Sequence, residues 1–165
     1  MDIARGVSRH RDRLSGQARV LERVCTLLDQ LLGDGPCVAI NSDTKIHIKK
    51  AGDRRYYYPD GGVVCDENPD TDHFQDHPKL IFEVLSPSTR RLDQGEKLVG
   101  YQSIPSLQSY LLVEQDEPLV VHYRRTKTGF RRTVFSGLEA SVSISSLSIE
   151  LPLAKIYRRI SFAAE

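Results

Sequence analysis

The chain has 165 residues, 23 Lys and Arg against 22 Asp and Glu, a net charge of +1, and 39% apolar residues. A chain of that size hides about 70% of the surface its unfolded form exposes, so it needs neither metal nor disulfides merely to fold, and disorder is not expected. No run of about 18 apolar residues occurs, and the opening MDIARGVSRHRDRL is charged from its second residue with no apolar core, so neither a membrane-spanning helix nor a secretory leader is expected. Cys25, Cys37 and Cys65 are odd in number and widely spaced. They read as neither a disulfide framework nor a zinc site, and a reducing, cytoplasmic setting is expected.

The near-neutral total hides an uneven distribution. Residues 1–59 carry 11 Lys/Arg and 7 Asp/Glu (net +4), residues 60–100 carry 4 and 9 (net −5), and residues 101–165 carry 8 and 6 (net +2). An acidic middle lies between basic flanks, an arrangement that a wholesale basic coat for nucleic acid would not give.

In chain order, residues 8–32 form the clearest helix, because Leu14, Ala18, Leu21, Cys25, Leu28 and Leu32 recur at spacings of four and three. Ser8 can cap its start and Gly33 can end it. Short strands are predicted at 37–41 and at Lys45 to Lys49, where Ile46 and Ile48 alternate with polar neighbours. After a Gly52-Asp53 turn, residues 56–65 (YYYPDGGVVC) read as one further strand, and the polar residues 66–78 as a loop. Residues 79–85 (KLIFEVL) are apolar on both alternations, as in a central strand covered on both faces. A second helix is expected from Asp93, with Glu96 at the spacing of a capping box, and to stop before Pro105. Strands follow at 110–114, 119–125 and 131–135, then a weak strand at 142–149 and a short helix after Pro152. With no repeat, low-complexity segment or linker, residues 1–165 read as a single mixed α/β (α+β) domain, a sheet flanked by helices.

Glu83 stands alone in the apolar run, and burying an unpaired carboxylate costs several kcal/mol. It therefore calls for a basic partner, a raised pKa or a metal ion. Asp60 ends the preceding Tyr-Pro-Asp, and if the two strands are neighbours both carboxylates converge with a backbone carbonyl, oxygen donors of the kind Mg²⁺ prefers. Lys97, on the following helix, can reach the same point and stabilise charge developing on a phosphate.

Pro59-Asp60, Glu83-Val84-Leu85-Ser86-Pro87-Ser88-Thr89, Asp93 to Lys97, Tyr101 and the Tyr110-Leu111-Leu112-Val113 strand, in that order, resemble the Uma-two family of restriction endonucleases in the PD-(D/E)XK nuclease superfamily. The resemblance runs from about Ser8 to Tyr157. It implies a restriction-endonuclease-like core and a metal-dependent endonuclease that hydrolyses DNA. Asp60 and Glu83 then match the two motif acids and hold Mg²⁺ or Mn²⁺ together with the Val84 carbonyl, and Lys97 completes the catalytic set. The superfamily's lysine position, two residues after Glu83, is Leu85 here, so Lys97 is the candidate substitute. The β-hairpin that relatives place ahead of the first helix is expected to be lacking. Cutting both strands of DNA generally calls for two copies, so a homodimer is expected. The alternative is an inactive nuclease fold serving as a nucleic-acid-binding or self-assembly module, and a third reading makes Glu83 a structural ion pair with Asp60 pointing elsewhere.

Lesser candidates read as structure first. His73 and His77 with Asp72 and Asp76 have zinc-like spacing but lie in a Pro-bounded loop. Ser86 and Ser88 lack a nucleophile elbow and read as turn groups. Asp43 reads as a turn residue, Asp93 as a helix cap and His10 as exposed. Arg124, Arg125, Lys127, Arg131 and Arg132 read as strand charges, or else as contacts to a phosphate backbone.

Overall fold

A computed structural model describes residues 16–50, 53–86 and 93–162. Its first element, α1 (Gly16–Leu32), ends where Gly33 takes φ +55° and returns its N–H to the Asp29 carbonyl. Ser8, His10 and Leu14 lie outside the described residues. The buried face of α1 is centred on Val20, Val24, Leu27 and Leu28, with Leu21, Cys25 and Leu32 only partly covered. The expected stripe is thus rotated toward the two valines, because the β-branched residues and not the leucine edge meet the sheet.

The central sheet has six strands in the order β1 (Val38–Asn41), β4 (Gly61–Val64), β5 (Pro78–Leu85), β6 (Ser109–Glu114), β7 (Leu119–Thr126) and β8 (Gly129–Ser136). Only β5 and β6 run parallel, and the other neighbours are antiparallel, so the sheet is mixed. The prediction of a central strand buried on both faces holds for β5. Leu80, Phe82 and Val84 face α1, while Ile81 and Leu85 face the opposite layer. That layer consists of the two-stranded hairpin β2 (Ile46–Lys50) and β3 (Asp53–Tyr57) and the short helix α2 (Leu98–Gln102). Ile46, Ile48, Tyr101, Ile104 and Leu107 supply its apolar surface.

The single strand expected over 56–65 is instead two strands in two different sheets, β3 and β4. Pro59 has no N–H to donate to a ladder, so pairing stops there and the chain turns from the hairpin into the main sheet at Asp60. Residues 142–149 also divide. β9 (Ser141–Ile144) and β10 (Ile149–Pro152) form a hairpin around a 3₁₀ turn, Ser145–Leu147, before α3 (Leu153–Ile156). Ser148 in the left-handed region (φ 55°) makes that reversal, a signal that serine does not advertise in sequence.

The cysteine expectation is corrected as well. Cys37 and Cys65 flank the Val38–Val64 pair of β1 and β4 and are joined in a disulfide, with Cα atoms 4.0 Å apart. Strand pairing brings together residues whose 28-residue separation concealed them, so cysteine spacing no longer argues for a reducing compartment. Among the described residues no helix is long and apolar enough to cross a membrane.

His122 on β7 is buried, with Nε2 2.9 Å from the Ser109 hydroxyl. Burial, with the Arg124 charge nearby, pushes its imidazole down to about 4. Unfolded, the same ring takes a proton near pH 6.5, so between about 6.5 and 4 the unfolded state binds more protons and stability falls as pH falls. Urea midpoints measured at pH 7, 5.5 and 4.5 are expected to decline, and less steeply in His122→Asn.

Candidate functional site

Asp60 and Glu83 meet because β4 and β5 are antiparallel neighbours, with Gly61 opposite Phe82 and Gly62 opposite Ile81. The start of β4 therefore lies beside the C-terminal half of β5. Two glycines make the approach possible. A Cβ on Gly62 would sit 2.2 Å from the Leu80 carbonyl oxygen, and one on Gly61 would lie 2.4 Å from the Phe82 ring and 2.9 Å from the Ile40 carbonyl.

The two acids brace each other through the main chain. Asp60 Oδ2 accepts a hydrogen bond from the Val84 N–H at 2.7 Å, and Glu83 Oε2 accepts one from the Asp60 N–H at 3.3 Å. Glu83 is 2% exposed, on the row of β5 that otherwise carries Ile81 and Leu85. Its Oε1 is reached by Lys97 Nζ and by the Tyr101 hydroxyl, each at 3.4 Å. The Lys97 side chain is only 14% exposed, so this ion pair is largely removed from water.

Lys97 is delivered by an unusual turn. Asp93–Lys97 is π-helical and continues directly into α2, the kind of local widening that often accompanies functional sites. The capping box expected of Asp93 and Glu96 is not what Glu96 does. Its Oε1 accepts from the Tyr57 hydroxyl at 2.9 Å and from Arg55 Nη1 at 3.2 Å, tying this turn to the β2–β3 hairpin. The Asp93 side chain lies outside the described residues. Tyr57 also packs edge-on to Tyr101, with ring centroids 5.5 Å apart.

On the other side of the sheet, α1 places Gln17 so that its amide donates to the Val84 carbonyl at 3.3 Å. The Cys25 thiol is pushed up to about 11 by burial and by the negative charge of Asp60, which keeps it protonated and unreactive. Gln17 carried no sequence signal, since a lone glutamine on a helix is ordinary.

The structure thus brings Asp60, Glu83, Lys97 and the Val84 main chain together. The structural reading of Glu83 required a Lys or Arg partner and an Asp60 turned away. The first condition is met and the second is not. His73 and His77 are both exposed, and among the described residues no group of three or more His, Cys, Asp and Glu is placed to hold a metal. Asp76 instead binds His47 Nδ1 at 2.8 Å and Asn68 at 2.9 Å. Ser86 is buried after β5, whereas Ser88 is outside the described residues. Asp43 is exposed and its N–H binds the Asn41 side chain, as a turn residue does.

One member of the basic cluster is structural. The Arg125 guanidinium donates to the carbonyls of Leu107 at 2.6 Å and Ile104 at 2.8 Å and lies over the Phe130 ring, fastening the segment after α2. Arg124, Lys127, Arg131 and Arg132 are exposed.

Residues 14–154 match the model of the Uma2 family, described as "Putative restriction endonuclease". Two uncharacterized proteins of Synechocystis sp. are similar in sequence. One, slr1290, is 33% identical over 141 residues, 85% of this chain and 73% of its own length. The other, sll1609, is 35% identical over 137 residues, 79% of this chain and 75% of its own. Among solved structures, the crystal structure of "a putative nuclease belonging to DUF820" from Anabaena variabilis has a TM-score of 0.70, covers 88% of this chain and 82% of that one, and is 16% identical. At that identity the likeness concerns the fold.

Proposed function

The chain belongs to the Uma2 family, and from that premise we propose that it is a divalent-metal-dependent endonuclease hydrolysing DNA phosphodiester bonds at Asp60, Glu83 and Lys97. The observation that carries this reading is the reciprocal bracing of the two carboxylates, Asp60 on the Val84 N–H and Glu83 on the Asp60 N–H, with the Lys97 ammonium 3.4 Å from Glu83.

The donor set fits a hard cation. Two carboxylates and the Val84 carbonyl offer oxygen ligands only, and Mg²⁺ is commonly held by one or two carboxylates with its other positions left to water and substrate phosphate. Bound there, Mg²⁺ or Mn²⁺ supplies Lewis-acid polarisation of a phosphoryl oxygen and a lowered pKa for water.

The chain's own residues do the rest. Lys97 and Tyr101 hold one oxygen of Glu83 and the Asp60 N–H holds the other, so the carboxylate is oriented before substrate arrives. Gln17 orients the Val84 carbonyl in the same way. Lys97, in a site largely closed to water, can transfer its ammonium from Glu83 to a phosphoryl oxygen as negative charge grows there, an interaction strengthened by the low local dielectric. Among the described residues there is one such cluster, so cleavage of both strands calls for two copies acting together.

The Lys97–Glu83 ion pair also favours a second reading, a silent member of the fold in which the pair is structural and the protein binds nucleic acid without cutting it. Incubating the purified chain with supercoiled and linear DNA in Mg²⁺ or Mn²⁺ decides between them. Nicked or linear product is expected, to be lost with a chelator and in Asp60→Ala. Cleavage that survives Asp60→Ala, or a wild type that binds DNA yet cuts in neither ion, contradicts the nuclease reading.

A further inference from the structure

The β2–β3 hairpin carries a concentration of positive charge that the ion pairs of the fold use only in part. Residues 45–58 contain five Lys and Arg (Lys45, Lys49, Lys50, Arg54, Arg55) against one acid, Asp53. The hairpin's register sorts these residues by face. Ile46 pairs with Tyr57 and Ile48 with Arg55. Ile46, Ile48 and Tyr57 pack into the core, and Arg55 and Tyr57 hold Glu96, so this face is committed to the sheet and to the turn bearing Lys97.

The other face pairs His47 with Tyr56 and Lys49 with Arg54. Like charges directly opposite across a strand pair are destabilising, a cost that Asp76 offsets in part at Lys49. Lys49 is 69% exposed even though Asp76 lies 3.6 Å away, and Arg54 is exposed. Lys45 stands over the Tyr56 ring at 4.8 Å. The chain then continues through Tyr58, 57% exposed, and Pro59 into Asp60.

The face is held in place before any ligand arrives. The His47 N–H donates to the Gln75 carbonyl at 3.0 Å, and the Gln75 N–H returns to Lys45 at 2.8 Å. The His47 ring stacks on Tyr56 with centroids 4.7 Å apart and binds Asp76 through Nδ1. Burial pushes the Asp76 carboxyl up, but hydrogen bonds from Asn68 and His47 and the Lys49 charge outweigh it and keep the group below the usual carboxylate range.

We propose that Lys45, Lys49 and Arg54, with Tyr58 beside them, form a rigid wing that grips the phosphate backbone of the substrate next to the bond cut at Asp60 and Glu83. The proposal rests on the nuclease reading and gives it a substrate surface. A polyanion approaching that site meets the net −5 of residues 60–100, and the hairpin that bears the wing ends at Tyr57, three residues before Asp60, so its positive charge adds to that of Lys97.

The test is binding of a fluorescent duplex without divalent metal, titrated at several salt concentrations, for wild type, for Lys45→Ala/Lys49→Ala/Arg54→Ala, and for Arg131→Ala/Arg132→Ala on the distant edge strand. Each lost phosphate contact lowers the slope of log affinity against log salt by about 0.9, so the wing variant is expected to lose about 2 to 3 in slope and at least about tenfold in affinity at low salt. The edge-strand variant is expected to change by less than about half of that, and thermal melting of both variants should match wild type, since the three wing side chains are outside the core. A wing variant that melts like wild type and binds with an unchanged slope, while wild type binds and cuts, overturns the wing alone. A wing variant that melts early is replaced by the single changes Lys49→Ala and Arg54→Ala, each expected to lose about 0.9 in slope and neither to be neutral. A wild type that binds no duplex at low salt overturns the wing and the nuclease reading together.

Discussion

Glu83→Gln is expected to slow DNA cleavage by about a thousandfold or more, the equivalent of about 4 kcal/mol of transition-state stabilisation. The amide keeps the volume of the side chain, so the Ile81–Glu83–Leu85 row stays filled, but it removes the negative charge that a cation and Lys97 both need. It also removes the Glu83 charge facing the largely buried Lys97 ammonium, which costs about 1–3 kcal/mol of stability and lowers the melting temperature by several degrees. Lys97→Met separates the two roles. Cleavage is expected to fall by about a hundredfold or more for want of the cation at the phosphoryl group. Mn²⁺ binding, read by calorimetry, is expected to persist or tighten because the ammonium no longer competes for Glu83. Equal loss of metal binding in both variants would mean that Lys97 shapes the site and does not serve the chemistry.

Gly62→Ala is expected to damage the fold more than any other single methyl addition along the strand that delivers Asp60. Its Cβ would lie 2.2 Å from a backbone oxygen of β5, between two paired strands that cannot separate without breaking the ladder. A loss of about 3–4 kcal/mol, or about 10 °C in melting temperature, follows for a chain of this length. Gly95→Ala is the control. A Cβ there meets nothing within 4 Å, so no comparable loss is expected. Similar melting temperatures for the two variants would show that β4 can shift away from β5 at little cost.

The features legible in sequence were those written in local pattern. The apolar run around Glu83 identified a strand buried on both faces, and the carboxylate within it identified the position that needed a partner. The order of Pro59-Asp60, Glu83 and Lys97 anticipated a cluster that strand pairing then brought together. What escaped depended on pairing between distant segments. Cys37 and Cys65 face each other only once β1 and β4 are aligned, and Gln17 reaches the Val84 carbonyl only once α1 crosses the sheet. Glu96 shows how a local rule is overridden. Its spacing from Asp93 suits a cap, but Arg55 and Tyr57 on the hairpin compete for the same carboxylate, and Glu96 Oε1 binds both. A single strand through residues 56–65 cannot continue past Pro59, whose missing N–H marks the turn that aims Asp60 at Glu83.

Asp60, Glu83 and the Val84 carbonyl are proposed to form one metal centre served by Lys97. Crystals of the protein soaked in Mn²⁺ test it most directly through the anomalous signal. One strong peak is expected within about 2.5 Å of an Asp60 oxygen, a Glu83 oxygen and the Val84 carbonyl, with Lys97 displaced from Glu83. A map without a peak there, with Lys97 still paired to Glu83, would contradict it.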